Sequence, residues 1–293
     1  MSNAATAQSS GGLASRPRAG GTAGWTLDRS MRRAVVSLLL FLIFWQIGAT
    51  SRVWLGTPLP IIGAVPSPDS VLRAWVRLLS DPGYWQSWMW SALRVGLGFA
   101  AAALVGIPFG LALAANATFR GVAFPVFELL RPIPPLAWVP ASIIFWPTQE
   151  LSIAFVIFLG GFYTIVLNVI GGAEAIDARL IQSARSMGAT RGTIFRRLIL
   201  PGVLPSVGVG LQVAIGITWE VVVAAEMISG GGSGGAASSG GGLGFFIWNS
   251  YVGGAYPDII VGMISIGIAG YLSSALVRLG VAHLTPWLRQ GRA

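Results

Sequence analysis

The segment that decides the fold is polar, carries five arginines and lies between two strongly apolar runs: residues 176–205, IDARLIQSARSMGATRGTIFRRLILPGVLP. Asp177 and Thr190 belong to the residue types that favour helix N-caps. Gly188 stands between them, at the place where a C′ glycine would end a first helix. Pro201 suits the first turn of the apolar helix that follows. The pattern therefore predicts two short helices around a glycine, followed by a long apolar helix.

Helical spacing gathers the apolar side chains of this segment on two faces. The first face has Leu180, Ala184 and Met187, and the second has Ile194, Phe195 and Leu198. The arginines that surround these faces are Arg185, Arg191, Arg196 and Arg197. Such a surface suits docking into a groove on a soluble partner. The alternative, which composition alone leaves open, is a loop that is basic only because it is cytoplasmic.

The composition is that of a polytopic membrane protein. Of the 293 residues, 54% are hydrophobic and only 10% are charged, well below the usual charged share of globular domains, and several apolar runs approach the length that spans a bilayer. The chain has no cysteine, which excludes disulfides and thiolate metal sites. All basic residues apart from His283 are arginines, so the chain lacks the lysine of a phosphate-binding P-loop and cannot itself be a P-loop ATPase.

The apolar runs predict six membrane spans with both ends of the chain on one side. The predicted spans are residues 34–49, 91–114, 124–146, 151–170, 203–228 and 257–279. Most arginines fall on the side of both ends and of segment 176–205, whereas Arg52, Arg73, Arg77 and Arg94 lie on or near the other side. Because cytoplasmic loops carry the excess of basic residues, both termini are predicted to be cytoplasmic.

Four regions complete the predicted organisation. Residues 1–28 are a disordered cytoplasmic tail. Residues 29–90 hold a first membrane helix, retained rather than cleaved as a signal peptide, and a Trp-rich external part with an interfacial helix after Ser67. Residues 91–280 form the core, with a flexible external loop at 229–242. Residues 281–293, including His283, are a short cytoplasmic tail.

Charged residues inside the apolar spans are the candidates for a membrane path. Glu128 and Arg131 are three residues apart and can pair on one helix face. Four nearby prolines, at positions 132, 134, 135 and 140, would break a helix there. An ionisable pair at a broken helix indicates a functional site, and an ion pair that only holds the kink is the alternative. Glu220 and Glu226 lie toward the outer half of a later span. Gly106 and Gly110 would allow close helix contact.

Residues 182–201 resemble the EAA loop of ABC-importer permeases, roughly E-A-A-x(3)-G-x(9)-I-x-L-P. Gly188, Leu200 and Pro201 hold the spacing of that pattern, whereas Gln182, Ser183 and Leu198 depart from its strict form. The resemblance implies that residues 172–200 are the coupling loop, which receives the motion of an ATPase. The residues that it assigns to this coupling are Gln182, Ser183, Ala184, Met187, Gly188, Ala189, Phe195, Leu198 and Pro201.

A second stretch narrows the resemblance. Residues 128–140, ELLRPIPPLAWVP, are similar to a stretch of permeases of the nitrate/sulfonate/taurine/bicarbonate type, and Glu226 matches the family's AAEM pattern. The resemblance implies an all-α type I ABC importer (MetI-like) permease fold. It implies a second permease copy, two ATPase subunits and an external solute-binding protein as partners, in a bacterial inner membrane. It implies no catalytic residue, cofactor or metal in this chain.

The substrate expected from the resemblance is a small organic sulfonate such as taurine or an alkanesulfonate, with nitrate, bicarbonate or another small oxyanion as the alternative. Arg131 is the predicted anion-facing charge, and Glu128, Glu220 and Glu226 are the other predicted path residues. A secondary transporter would need inverted repeats and its own coupling-ion site. A membrane-embedded enzyme would need a catalytic constellation, for which one histidine and scattered carboxylates offer little.

Overall fold

The computed structural model describes residues 29–51, 56, 62–230 and 241–285. The predicted tail at 1–28, most of the predicted loop at 229–242 and residues 286–293 lie outside the described residues. The chain divides into two units, Met1–Trp45 and Gln46–Ala293. Every described side chain from 31 to 44, in the first unit, is exposed. Apart from helix α1 (Arg29–Ala49), which has residues in both units, the structure described below belongs to the second unit.

Every element of secondary structure in the described residues is helical. The α-helices are α1 (Arg29–Ala49), α2 (Pro68–Leu78), α3 (Pro82–Ala115), α4 (Ala117–Leu130), α5 (Val139–Phe145), α6 (Gln149–Glu174), α7 (Ala178–Ser186), α8 (Arg191–Ile194), α9 (Leu200–Gly230), α10 (Leu243–Val252) and α11 (Tyr256–Leu284). Short 3₁₀ turns lie at Ile62–Ala64 and Pro135–Trp138, and a π-helical turn lies at Phe195–Ile199.

Five of the described helices are long and apolar enough to cross a membrane, and the count is six if the bent pair Ala117–Leu130 and Pro135–Phe145 forms one span. The two halves of this pair meet at 87°. The prolines around Arg131 explain the break, because a proline removes one helical hydrogen bond and crowds the preceding turn. The structure thus agrees with the predicted all-α, six-span organisation and with the predicted break.

Helix α3 begins earlier than predicted. Asp81 accepts a hydrogen bond from the Gly83 amide at 2.8 Å, and Pro82 occupies the first turn. The expected boundary at residue 91 was therefore wrong, because the Trp-rich stretch before it has strong helix-start signals and continues into the membrane helix. The last helix also differs from its prediction, since α11 includes His283, which was expected in the tail.

Helix α6 is the centre of the second unit. It packs along α3 on one side and along α9 on the other, and it buries more of its apolar window than any other described span. Glycines bring α3 close to it: a Cβ on Gly98 would lie 2.5 Å from Ile157, and a Cβ on Gly110 would lie 2.8 Å from Val169. The close contact predicted at Gly106 and Gly110 is therefore confirmed, and it extends to Gly98.

Helix α2 packs against α11 through one of its faces. Val71, Ala74 and Leu78 are buried there, and Arg77 Nη2 donates to both carboxylate oxygens of Asp258 on α11 at 2.5 and 2.7 Å. Leu72, by contrast, is exposed. The helix thus has a packed face and a separate exposed apolar face, and its interfacial placement remains a prediction.

The glycine contacts generate the first prediction. Gly98→Ala is expected to destabilise the protein by roughly 1–3 kcal/mol, because the added methyl group overlaps Ile157 and forces the packed helices apart. Thermal unfolding in a mild detergent measures the effect. Gly96→Ala is the matched control, since nothing lies within 4 Å of its added Cβ. Equal melting temperatures for the two variants would contradict the proposed importance of close α3–α6 packing.

Candidate functional site

The first half of segment 176–205 folds as its sequence predicts. Asp177 caps α7 by accepting a hydrogen bond from the Arg179 amide at 2.8 Å. Gly188 has φ +81°, in the left-handed region that glycine adopts without steric cost. Its amide donates to the Arg185 carbonyl at 2.9 Å, and the next amide, of Ala189, donates to the Ala184 carbonyl at 3.0 Å. These two bonds form a Schellman motif, which ends α7 sharply.

The second half differs from the prediction in one respect. Thr190 caps α8 by accepting from the Thr193 amide at 3.3 Å, as expected. Pro201 lies in the first turn of α9 (Leu200–Gly230), as expected, but no break precedes this helix, because the chain is helical from Arg191 to Ile228. The π-helical turn Phe195–Ile199 precedes Pro201 and leaves the Leu200 amide bonded to the Phe195 carbonyl. Such a widened turn accommodates the proline, whose ring crowds the carbonyl four residues earlier.

The segment exposes large apolar side chains. Leu180 is 55% exposed and Met187 is 80% exposed, and α7 has no buried residue. Ile194 is buried, so the second predicted face is only partly available. Among the other residues assigned to coupling, Gln182, Ser183 and Gly188 are exposed, whereas Ala184, Ala189, Phe195, Leu198 and Pro201 are half-buried. The segment therefore presents an uncovered apolar surface with arginines around it.

The break between α4 and α5 lies at the depth of the middle of α6. Arg131 Nη2 pairs with Glu128 Oε1 at 3.0 Å, and both side chains are about two-fifths exposed (38% and 44%). Pro135, in the 3₁₀ turn after the break, and the α9 residue Val221 both lie within 4 Å of a Cβ built on Gly160, which is near the centre of α6. A broken helix at this depth requires neighbouring protein or water.

Glu220 lies at the same depth on the exposed face of α9. It precedes Val221, and it continues a stripe of exposed residues at helical spacing that includes Val209, Val213 and Gly216. Among the described residues, no basic side chain forms an ion pair with it. A carboxylate at mid-membrane depth is costly against lipid. This face of α9 therefore requires water or another protein surface beside it.

Glu226, near the other end of α9, is enclosed. Its side chain is 1% exposed and pairs with Arg94 on α3, with Oε1 2.9 Å from Nη1. Ser91 Oγ lies 2.8 Å from each oxygen of the carboxylate, and the Gly244 amide donates to Oε2 at 2.9 Å. In this structure Glu226 therefore does not face an open path, in contrast to Glu220.

Arg94 joins three helices, and the sequence interpretation assigned it no role beyond its side of the membrane. Its Nε and Nη2 donate to the two oxygens of Glu150 on α6 at 2.8 and 2.5 Å, while Nη1 binds Glu226 on α9. The guanidinium also lies 5.7 Å from the Trp90 ring centroid. An arginine inside an apolar run usually has a partner, and this signal in the sequence could have suggested a search among the membrane carboxylates.

Acidic and histidine side chains offer no candidate metal centre in the parts of the chain that the structure describes, where no group of three or more lies close enough to hold an ion. The described charges form pairs and one three-membered cluster instead. Exposed pairs such as Arg120–Glu174, at 2.6 Å, contribute little stability. The buried Arg94 cluster is the strongest charged feature of the described structure.

Comparison with known proteins identifies the family. The matching family model is described as binding-protein-dependent transport system inner membrane component and covers residues 106–290. The taurine transport system permease protein of Escherichia coli is 31% identical over 90% of this chain and 92% of its own length. The nitrate import permease protein of Leptolyngbya laminosa is 30% identical over 91% and 92%, and the bicarbonate transport system permease protein of Synechococcus elongatus is 32% identical over 87% and 88%.

Solved structures show the same fold. A chain of a methionine ABC transporter in an inward-facing conformation superposes with a TM-score of 0.54 at 21% identity, covering 71% of this chain and 98% of that one. A chain of a bacterial alginate ABC transporter gives 0.54 at 16% identity, covering 88% and 97%. With more than half of the sequence inside the family model, the chain belongs to the inner-membrane components of binding-protein-dependent transport systems and is a permease of the ABC-importer type.

Proposed function

We propose that this permease imports a small anionic solute, driven by two ATPase subunits that dock on residues 172–200 of two permease copies. An external binding protein delivers the solute, and both termini of the permease are cytoplasmic. The exposed apolar surface formed by Leu180 of α7 and Met187 directly after it carries the proposal. Such a patch on a helix ringed by arginine suits a groove on a soluble protein better than it suits water.

The connection to the membrane explains how docking would act. The coupling segment joins α6 to α9, and these two helices make the most extensive packing contact in the second unit. From Arg191 the helical course continues through the membrane without a break. A rigid body that pushes on α7 and α8 would therefore move packed helices together rather than deform a loop, which is the condition for switching access between two sides.

The proposed path runs along the exposed face of α9 and the break before α5. Glu128 and Arg131 follow Phe127, whose ring contacts that of Tyr163 near the middle of α6, and Glu220 precedes Val221, which packs against Gly160 in the same part of α6. A solute-filled path satisfies both requirements of this region, since it hydrates the broken helix and it gives Glu220 an alternative to lipid. Arg131 is the residue proposed to face the anion. Glu226, also predicted for the path, is enclosed with Arg94 and is assigned no contact with solute here.

The proposed solute is taurine or an alkanesulfonate. The taurine permease of Escherichia coli supports this choice, because it aligns over nearly the whole chain. Nitrate and bicarbonate are the alternative, since relatives named for their transport align at similar identity. A guanidinium such as that of Arg131 binds the oxygens of any of these anions, so the proposed path chemistry fits the whole class.

The function is tested by co-purification and uptake. The tagged chain, extracted from native membranes in a mild detergent, is expected to retain a stoichiometric P-loop ATPase that mass spectrometry identifies. Proteoliposomes of that complex are then expected to take up 2-aminoethanesulfonate only when ATP and the binding protein are present. Absence of any ATPase, under conditions that keep a known ABC importer intact, would overturn the proposal. Uptake that needs no ATP would point to a secondary transporter instead.

Gly188 provides a test of the docking surface. Gly188→Trp is expected to leave the protein in the membrane but to abolish retention of the ATPase, because an indole beside Met187 changes the exposed surface and a side chain at φ +81° costs roughly 1–2 kcal/mol. Gly121→Trp is the matched control, since it is also exposed with nothing within 4 Å of its Cβ. Normal ATP-driven uptake by the Gly188 variant would remove the coupling assignment.

The natural absence of cysteine allows a direct test of the path. Single-cysteine variants Gly216→Cys and Glu220→Cys are expected to react with a charged, membrane-impermeant thiol reagent in the assembled complex, and the reaction is expected to block uptake. Val222→Cys, at a position with 0% exposure, is the unreactive control. If the exposed face of α9 contacts lipid, neither test position will react with the charged reagent.

Arg131 is tested separately. Arg131→Gln is expected to abolish solute uptake while the ATPase and the binding protein remain bound, because the anion loses its cationic partner. The measurement is uptake by proteoliposomes together with the composition of the purified complex. Unchanged transport would mean that the Glu128–Arg131 pair only holds the kink between α4 and α5.

A further inference from the structure

One helical course connects the coupling segment to the opposite end of the bundle. It runs from Arg191 to Ile228, a length of roughly 55 Å at about 1.5 Å per residue. The first end directly follows α7 and Gly188 in the coupling segment, and the last turn carries Glu226. A displacement of the coupling segment along this helical course therefore displaces Glu226. The contacts of Glu226 determine which other helices move with it.

Glu226 lies in the last turns of α9, and its side chain also caps the start of α10. Helix α10 has no side-chain cap of its own at Gly242. Its first two amides are satisfied from other helices: the Leu243 amide donates to Ser91 Oγ at 2.8 Å, and the Gly244 amide donates to Glu226 at 2.9 Å. A carboxylate at this position accepts a hydrogen bond from an otherwise unpaired amide and interacts favourably with the positive end of the helix dipole. Glu226 thus ties the end of α9 directly to the start of α10.

Packing at this point leaves little room for adjustment. A Cβ on Gly242 would overlap the carboxylate of Glu226, and a Cβ on Gly244 would overlap the backbone of Val223. The two glycines let the start of α10 touch α9 directly. A movement of the Glu226 carboxylate cannot be absorbed by slack in this contact, so it is passed to α10.

The three charged groups of the cluster are unequal. The side chains of Arg94 and Glu226 are 6% and 1% exposed, whereas that of Glu150 is 45% exposed. Separating Arg94 from Glu226 would leave a buried charge without its partner, which is strongly unfavourable. Separating Arg94 from Glu150 costs far less, because water can hydrate the half-exposed carboxylate. The Arg94–Glu226 pair is therefore the fixed part of the cluster, and Glu150 is the part that can leave.

We propose that Glu226, Arg94 and Ser91 form the joint through which the Arg191–Ile228 helix moves α10, and that Glu150 on α6 is the contact that opens when it moves. These are positioning residues, since they act on the path through helices rather than by touching the solute. The inference rests on the proposed function. It adds the site at which motion of the coupling segment is transmitted from the Arg191–Ile228 helix to α10.

The test compares Glu226→Gln and Glu150→Gln in the complete complex of permease, ATPase and binding protein. The measured quantity is the amount of solute taken up per ATP hydrolysed. Glu226→Gln is expected to lower this ratio by about tenfold, within the range that changes along a coupled network produce. Glu150→Gln is expected to lower it by no more than about threefold, because only the releasable contact is lost. Asp69→Asn, in the exposed Arg73–Asp69 pair, is the control and should leave the ratio unchanged.

The ratio separates coupling from stability. If Glu226 were merely structural, Glu226→Gln would yield less complex, but the complex that remains would keep the wild-type ratio, and the proposal would fail. Gly242→Ala is a second variant that leaves every charge in place and displaces the carboxylate by its added methyl group; it is expected to lower the ratio in the same direction, and a wild-type ratio would also overturn the joint. Failure of the unmodified complex to couple ATP to uptake would overturn the proposed function instead.

Discussion

Close approach of helix backbones along α6 is the constraint on which the rest of the structure depends. Lipid tails are as apolar as leucine, so membrane helices gain little from hydrophobic burial and associate mainly by close packing. The glycines of α3 provide that approach on one side of α6, as at Gly98 against Ile157, and Gly160 provides it on the other side, against Val221 of α9. These seams set the depth at which the broken span, Glu220 and the buried charges come to lie.

The α3–α6 and α6–α9 packing contacts determine which charged side chains are buried and which are exposed. Where α3, α6 and α9 meet near one end, Arg94 forms ion pairs with two carboxylates and is almost fully buried. At mid-depth the outer face of α9 stays uncovered, and Glu220 has no basic partner among the described residues. A buried pair resists separation, whereas an open carboxylate invites water or a solute. The same helix α9 therefore carries a fixed anchor near one end and the open face proposed for the path in its middle.

The features predicted best from the sequence are those that depend on interactions between residues close together in the chain. The caps at Asp177 and Thr190, the glycine at 188 and the proline break are local, and the structure agrees with each of them. The partner of Arg94 was missed because Glu226 lies 132 residues away, and no periodicity links positions on different helices. Pro201 lies in the first turn of α9, as predicted, whereas the π-helical turn that precedes it and accommodates its ring was not predicted.

The coupling segment and the Arg94 cluster occupy opposite ends of the same group of helices. The segment connects α6 to α9, so a push on it acts on both helices of the most extensively packed pair at once. At the far end, Arg94 of α3 holds Glu150 of α6 and Glu226 of α9. If α9 moves relative to α6 at this end, Arg94 cannot keep both carboxylates, and the unequal burial of the two selects Glu150 as the one that separates. Because Glu226 also bonds to the start of α10, the cluster lies where a displacement of α9 by a soluble partner can be transmitted to α10.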